Sequence, residues 1–150
     1  MTRIAFTILG EPASKANSRQ IVTIAGRPSS IKSQKARSYE AFATMQIPPE
    51  ARVRLEGPVR VTLRIFYASE RPDLDESVVL DVLQDRYSRT VPINPVVPGR
   101  RELVQPGVYR NDRQVREKHV FHGIDRKNPR TEVIVEPLQA QQADLLGAAA

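Results

Sequence analysis

The 150-residue chain has no cysteine and no tryptophan, and only two histidines, four tyrosines and four phenylalanines. Without thiols there are no disulfides, no thiolate zinc sites and no cysteine nucleophile, a composition suited to a reducing cytoplasm. His119 and His122 stand three apart in a segment that reads as a strand, so they point to opposite faces and no zinc site is expected from them. So few aromatics argue against a single-strand-binding surface built on base stacking. No apolar run approaches the roughly 20 residues that span a bilayer, and Met1-Thr2-Arg3 leads straight into an alternating pattern rather than a leader. A soluble, cytoplasmic protein without membrane contact is expected. Neither a serine-histidine-acid set nor a glycine-rich phosphate loop is evident.

What the chain has in excess is positive charge, +6 in total. Over residues 1–40 seven bases (Arg3, Lys15, Arg19, Arg27, Lys32, Lys35, Arg37) face only Glu11 and Glu40. That asymmetry marks the amino-terminal part as the phosphate-contacting surface, with Lys15, Arg19, Lys32, Lys35 and Arg37 as its candidates and nucleic acid as the expected polyanion. The length suits one domain with its own core.

Residues 3–9 alternate as a half-buried strand, and a basic loop then leads into a hairpin around Ala25-Gly26. Ser33 is placed to cap a helix over Gln34–Gln46, which Pro48-Pro49 stops, with Ala36, Tyr39, Phe42 and Ala43 at helical spacing. Val59 to Tyr67 is the cleanest strand. Val78, Val79, Val82 and Leu83 then form an apolar stripe, predicting a helix from Ser77 to about Tyr87. Prolines 92, 95, 98 and 106 make 88–106 read as a Pro-rich loop inserted in the domain. Val115–Phe121 and Thr131–Glu136 close the fold as strands, and the tail from 139 to 150 is expected to be mobile. The sum is a single α+β domain over 1–138 with a mixed or antiparallel sheet and two main helices.

Within this basic chain two acidic segments stand out, Arg71-Pro72-Asp73-Leu74-Asp75-Glu76 and Arg110-Asn111-Asp112-Arg113-Gln114-Val115. In extended backbone Asp73 and Asp75 share a side while Leu74 points to the core, so two carboxylates can face one hard cation. The same residues fit a plainer reading equally well, with Asp75 capping the next helix and Asp73 fixing the Pro72 turn.

Taken in order, Gly10-Glu11-Pro12, Ser14-Lys15-Ala16-Asn17-Ser18-Arg19, Lys32-Ser33 with Ala36 and Tyr39, Arg71-Pro72-Asp73-Leu74-Asp75, Asn111-Asp112-Arg113-Gln114-Val115 and Pro129-Arg130 resemble the RusA family of Holliday-junction resolvases across nearly the whole chain. The resemblance implies a homodimeric, Mg²⁺-dependent endodeoxyribonuclease acting on four-way junctions in recombination and repair. Its catalytic carboxylates would be Asp73, Asp75 and Asp112, with Glu76 beside them as a fourth metal ligand. This chain departs from the family pattern at three places. Glu76 stands where the family has Asn, and Asn111 where it has the first Asp of a pair, which suggests one carboxylate exchanged across the site if the two positions adjoin. Val79 stands where the family places a Lys, leaving Lys15, Arg71 and Lys118 as candidates for the missing positive charge. The 88–106 segment is an insertion. A DNA-binding protein that keeps the fold with impaired catalysis is the alternative these departures allow.

Overall fold

The computed structural model describes residues 3–89 and 101–138, so the 139–150 tail and the middle of the Pro-rich segment lie outside the described residues. It is an α+β fold. The strands are β1 (Ile4–Leu9), β2 (Arg19–Ile24), β3 (Arg27–Lys32), β4 (Val59–Tyr67), β5 (Arg86–Arg89), β6 (Arg101–Gln105), β7 (Val115–Ile124) and β8 (Arg130–Pro137); the helices are α1 (Gln34–Gln46) and α2 (Ser77–Leu83).

Four strands make the main sheet in the order β1-β8-β4-β7, with β8 antiparallel to both neighbours and β4 parallel to β7. The two closing strands are therefore not partners, because β4 lies between them. A parallel pair needs a crossover, and α2 with the chain behind it supplies one from β4 to β7. Along β4 the odd residues Val59, Val61, Leu63, Ile65 and Tyr67 are fully buried. They meet Ile4, Ile8, Val133 and Val135 on the sheet, and Ala36, Tyr39, Ala43, Val78, Val79, Val82 and Leu83 on the helices, in one core. Phe42, grouped with the helical core positions by spacing, faces outward at 53% exposure.

The opposite sheet face carries charge rather than a second layer. Arg60 pairs with Glu117 (3.1 Å), Arg130 with Glu132 (3.3 Å), and the Arg64 and Arg130 guanidiniums lie over Phe121 and Phe66. No helix among the described residues is long and apolar enough to cross a membrane.

Ser33 caps α1, its Oγ accepting from the Ala36 N–H at 3.1 Å. In the β2–β3 hairpin Ala25 (φ 51°) and Gly26 (φ 77°) both take the left-handed conformation that a two-residue hairpin turn of matching twist requires.

Two expectations change. Helix α2 ends at Leu83, four residues before Tyr87, because the chain leaves the helix to bury Asp85. The Asp85 carboxylate takes Arg54 Nη2 at 2.9 Å and Nε at 3.1 Å, the Gly107 N–H at 2.7 Å and the Tyr87 hydroxyl at 3.3 Å. The ends of the Pro-rich segment are also not loop: β5 and β6 pair as an antiparallel ribbon closed at its base by this Asp85–Arg54–Gly107 clamp. Prolines 92, 95 and 98 fall between the two flanks and Pro106 just beyond β6, so none interrupts the paired residues.

Candidate active site

Tyr67, the last residue of β4, organises the turn that follows. Its buried hydroxyl donates to the Asp73 carbonyl (3.3 Å) and accepts from the Asp75 N–H (3.2 Å), fixing 73–75 at the end of the strand. Leu74 packs on the core as the alternation predicts, but the two aspartates are not alike: Asp73 is exposed and Asp75 is 9% exposed. Asp75 Oδ1 accepts from the Ser77 N–H (2.9 Å) and the Ser77 hydroxyl (2.7 Å), a side-chain turn that leads the chain into α2. The N-cap position itself is Glu76, whose side chain makes no cap bond, so the capping reading of Asp75 gives way to this turn, which leaves Oδ2 for other work.

Glu76, beside it, takes the Lys118 ammonium from β7 at 2.6 Å. That bond, more than any other influence, holds the Glu76 carboxyl below its ordinary range. Lys118 stands opposite Val61 in the parallel register, on the helix-covered side of the sheet, with Val120 and His122 following on that face. Val79, where the resemblance places a lysine, is wholly buried in the core. Of the three replacement candidates, Lys118 is the one whose charge lies against an acid of this turn.

A carboxylate that sequence reasoning passed over joins them. Glu11 leaves the end of β1 and accepts from the Ala68 N–H (3.4 Å). Burial first, and then the negative charges of Asp75, Glu11 and Glu76, raise the Tyr67 hydroxyl above its usual range. His122 stacks on the Tyr67 ring at 5.2 Å, while His119 on the other face pairs with Glu117, the opposition expected of i and i+3 on a strand.

Asp112 is held by different machinery. Asn111 and Gln114 form a reciprocal capping box around the 112–114 turn, and Gln114 Nε2 also donates to the Leu55 and Gly57 carbonyls (2.7 and 2.9 Å). The Asp112 N–H donates to Gln84 Oε1 at the carboxyl end of α2 (3.1 Å). The two ends of α2, a seven-residue helix, are roughly 9 Å apart at 1.5 Å per residue. Asn111 thus serves its own turn while Glu76 serves Lys118, and the exchange of a carboxylate between those positions is not borne out. Among the described residues no three acidic or histidine side chains lie close enough together to cage a metal ion.

The phosphate candidates divide. Lys15, Arg19, Lys35 and Arg37 are exposed, although Arg19 also donates to the Ser30 carbonyl (2.8 Å). Lys32 is committed, its ammonium lying 2.5 Å from Glu40 and 3.2 Å from Asp81. Burial alone would lower its pKa, and the two acids outweigh that and raise it.

No protein-family model and no curated protein sequence matches this chain. The reading of the site rests on its residues.

Proposed function

We propose that the protein is a Mg²⁺-dependent, structure-selective endodeoxyribonuclease of the RusA type, resolving four-way DNA junctions in recombination and repair as a homodimer. The observation that carries this reading is the acidic 73–76 turn, fixed at the end of β4 by the Tyr67 hydroxyl, with the Lys118 ammonium set against Glu76 where Val79 replaces the lysine the resemblance expects. The donors fit the metal: Mg²⁺ takes hard oxygens, keeps several waters and binds through one or two carboxylates plus substrate phosphate, so a complete protein cage is not required. Asp75 and Glu76 would hold it, with the exposed Asp73 at the rim. When bound, such an ion supplies a Lewis acid that activates water and stabilises the departing 3′-oxygen.

The chain's own residues do the rest. Asp75 keeps Oδ1 on Ser77, so its orientation is set before any ligand arrives. Lys118, held beside the acid turn by Glu76, would supply the positive charge that meets the scissile phosphate and neutralises charge gained in the transition state. Lys15, Arg19, Lys35 and Arg37 supply the sequence-independent backbone contacts that suit recognition by shape. A two-fold dimer offers the simplest route to paired cuts in a symmetric junction.

One observation favours the second reading, a DNA-binding protein with impaired catalysis: Asp112 is tied to the far end of α2 from Asp75. Incubation of the purified protein with a labelled four-way junction separates the two. Paired nicks that require Mg²⁺ and vanish in EDTA support the nuclease; salt-sensitive binding without nicks supports the second reading; neither overturns both.

A further inference from the structure

The ribbon β5–β6 has no place in the proposed chemistry, yet it is anchored more firmly than an idle insertion needs. Its base is the Asp85–Arg54–Gly107 clamp, and the returning chain is fixed again where the Val108 N–H donates to the Leu83 carbonyl (2.8 Å) and the Leu55 N–H to the Val108 carbonyl (2.8 Å). Over residues 86–105 the sequence holds Arg86, Arg89, Arg100 and Arg101 against Glu102 alone. Arg86 and Arg101 are exposed, and the Arg101 guanidinium lies 4.2 Å from the centre of the Tyr87 ring, which braces it across the ribbon without neutralising it.

Between α1, the end of α2 and this ribbon lies a cleft of about 360 Å³ lined by Lys32, Arg37, Glu40, Asp81, Asp85 and Arg86 among others. Its carboxylates are already answered: Glu40 and Asp81 by Lys32, and Asp85 by Arg54. Arg37 and Arg86 have no carboxylate partner among the described residues. Arg52 nearby spends its guanidinium on the Pro106 and Thr44 carbonyls (2.8 and 2.6 Å), which leaves its charge uncancelled. Burial first and then the Arg86 charge lower its pKa. Unpaired positive charge therefore continues from α1 across the cleft onto the ribbon.

We infer that the β5–β6 ribbon, through Arg86 and Arg101, is a second phosphate-contacting arm that holds a DNA duplex beyond the acid pocket. It is rooted at the carboxyl end of α2, the end away from the acid turn, roughly 9 Å along the helix by its rise. A two-stranded ribbon is narrow enough to lie along a groove with arginines on its flanks. The inference rests on the nucleic-acid part of the proposed function and is independent of cleavage.

The test is metal-free binding of a labelled four-way junction and of a matched linear duplex in EDTA, by fluorescence anisotropy over a salt series. Wild type is compared with R86Q/R101Q and with R86K/R101K, all three checked by thermal melting. Each lost phosphate contact should flatten the plot of log K against log salt by about 0.9. The glutamine pair is therefore expected to lose close to two units of slope on both substrates, and the lysine pair to keep the wild-type slope at an unchanged melting temperature. A glutamine pair with the wild-type slope overturns the arm while leaving the nuclease reading standing. Wild-type protein that binds neither DNA overturns the nucleic-acid reading, and the arm with it.

Discussion

Asp75→Asn separates the two tasks that the structure gives one side chain. Asn keeps an oxygen where Asp75 Oδ1 accepts from the Ser77 N–H and hydroxyl, so the turn into α2 survives. What is lost is a full negative charge at the start of a seven-residue helix, worth about 0.3–1 kcal/mol. For a protein of this size that is a fall in melting temperature of about 1–4 °C. Asp75→Ala removes the Ser77 hydrogen bonds as well, at a further cost of about 1 kcal/mol. Cleavage should respond on another scale, since replacing a carboxylate ligand by a neutral amide removes the charge that retains Mg²⁺; both variants should lose at least about a hundredfold in nicking rate. The assay is single-turnover cutting of a labelled junction in Mg²⁺, paired with thermal melts of the same preparations. Metal-free binding should hold or tighten in Asp75→Asn, because one negative charge facing phosphate has gone. If Asp75→Asn cuts like wild type while Asp75→Ala merely melts earlier, Asp75 is a turn residue and nothing more, and the proposed metal site fails with it.

Gly107→Ala tests the clamp at the base of the ribbon: an added Cβ would meet the Leu83 carbonyl oxygen at 2.5 Å and the Asp85 nitrogen at 2.6 Å, backbone atoms that cannot swing aside. A loss of about 1–3 kcal/mol or more is expected in denaturant melts, and a neutral result would show that the connection is loosely seated. Val79→Lys, which puts a lysine where the RusA resemblance expects one, should lower stability because the position is wholly buried, and on the proposed reading, with Lys118 in the lysine's role, it should leave cleavage no better than wild type; a folded variant that cuts faster would reverse that assignment. Asp85 and Glu76 both have carboxyls held below their ordinary values. For Asp85 the cost of burial is overcome by Arg54 and the Gly107 N–H, and for Glu76 the Lys118 bond dominates. A depressed folded-state pKa gives stability that is present above the unfolded value, near about 4, and is lost as pH falls through the folded value. Melting temperature should therefore decline on acidification below about pH 5, and Asp85→Asn should melt lower at neutral pH with a shallower acid limb.

Elements whose signals are local were legible in the chain. The Ser33 cap and Pro48-Pro49 stop bound α1 at Gln34–Gln46, and strict alternation delimits β4 at Val59–Tyr67. What escaped depends on contacts distant in sequence. Nothing near Asp85 announces Arg54, thirty-one residues earlier, so the apolar stripe of α2 reads on past Leu83. The pairing of β8 with β4 rather than β7 is a choice among partners that alternation alone does not rank. At the site, the acids of 73–76 are visible as a cluster, but Lys118 becomes more than one basic residue among many only when β7 lies beside β4. Glu11 reads as the end of a strand until β1 sets it near Tyr67. Gln114, read only as part of a motif, proves to be the anchor of the Asp112 turn through four hydrogen bonds.

The placement of β8 has a consequence for how the chain reaches this fold. The last strand described is inserted between the first, β1, and the middle one, β4, with Ile4 opposite Val135 and Val61 opposite Val135 from the other side. During synthesis β1 has no neighbour in the main sheet until residues 130–137 have appeared, so the nascent chain carries two unpaired strand edges for most of its length. Loop closure on that scale is slow, and the exposed edges invite pairing with other chains while it waits. Folding is therefore expected to complete only after β8 is released, and a chain stopped before residue 130 should aggregate rather than fold as a smaller domain.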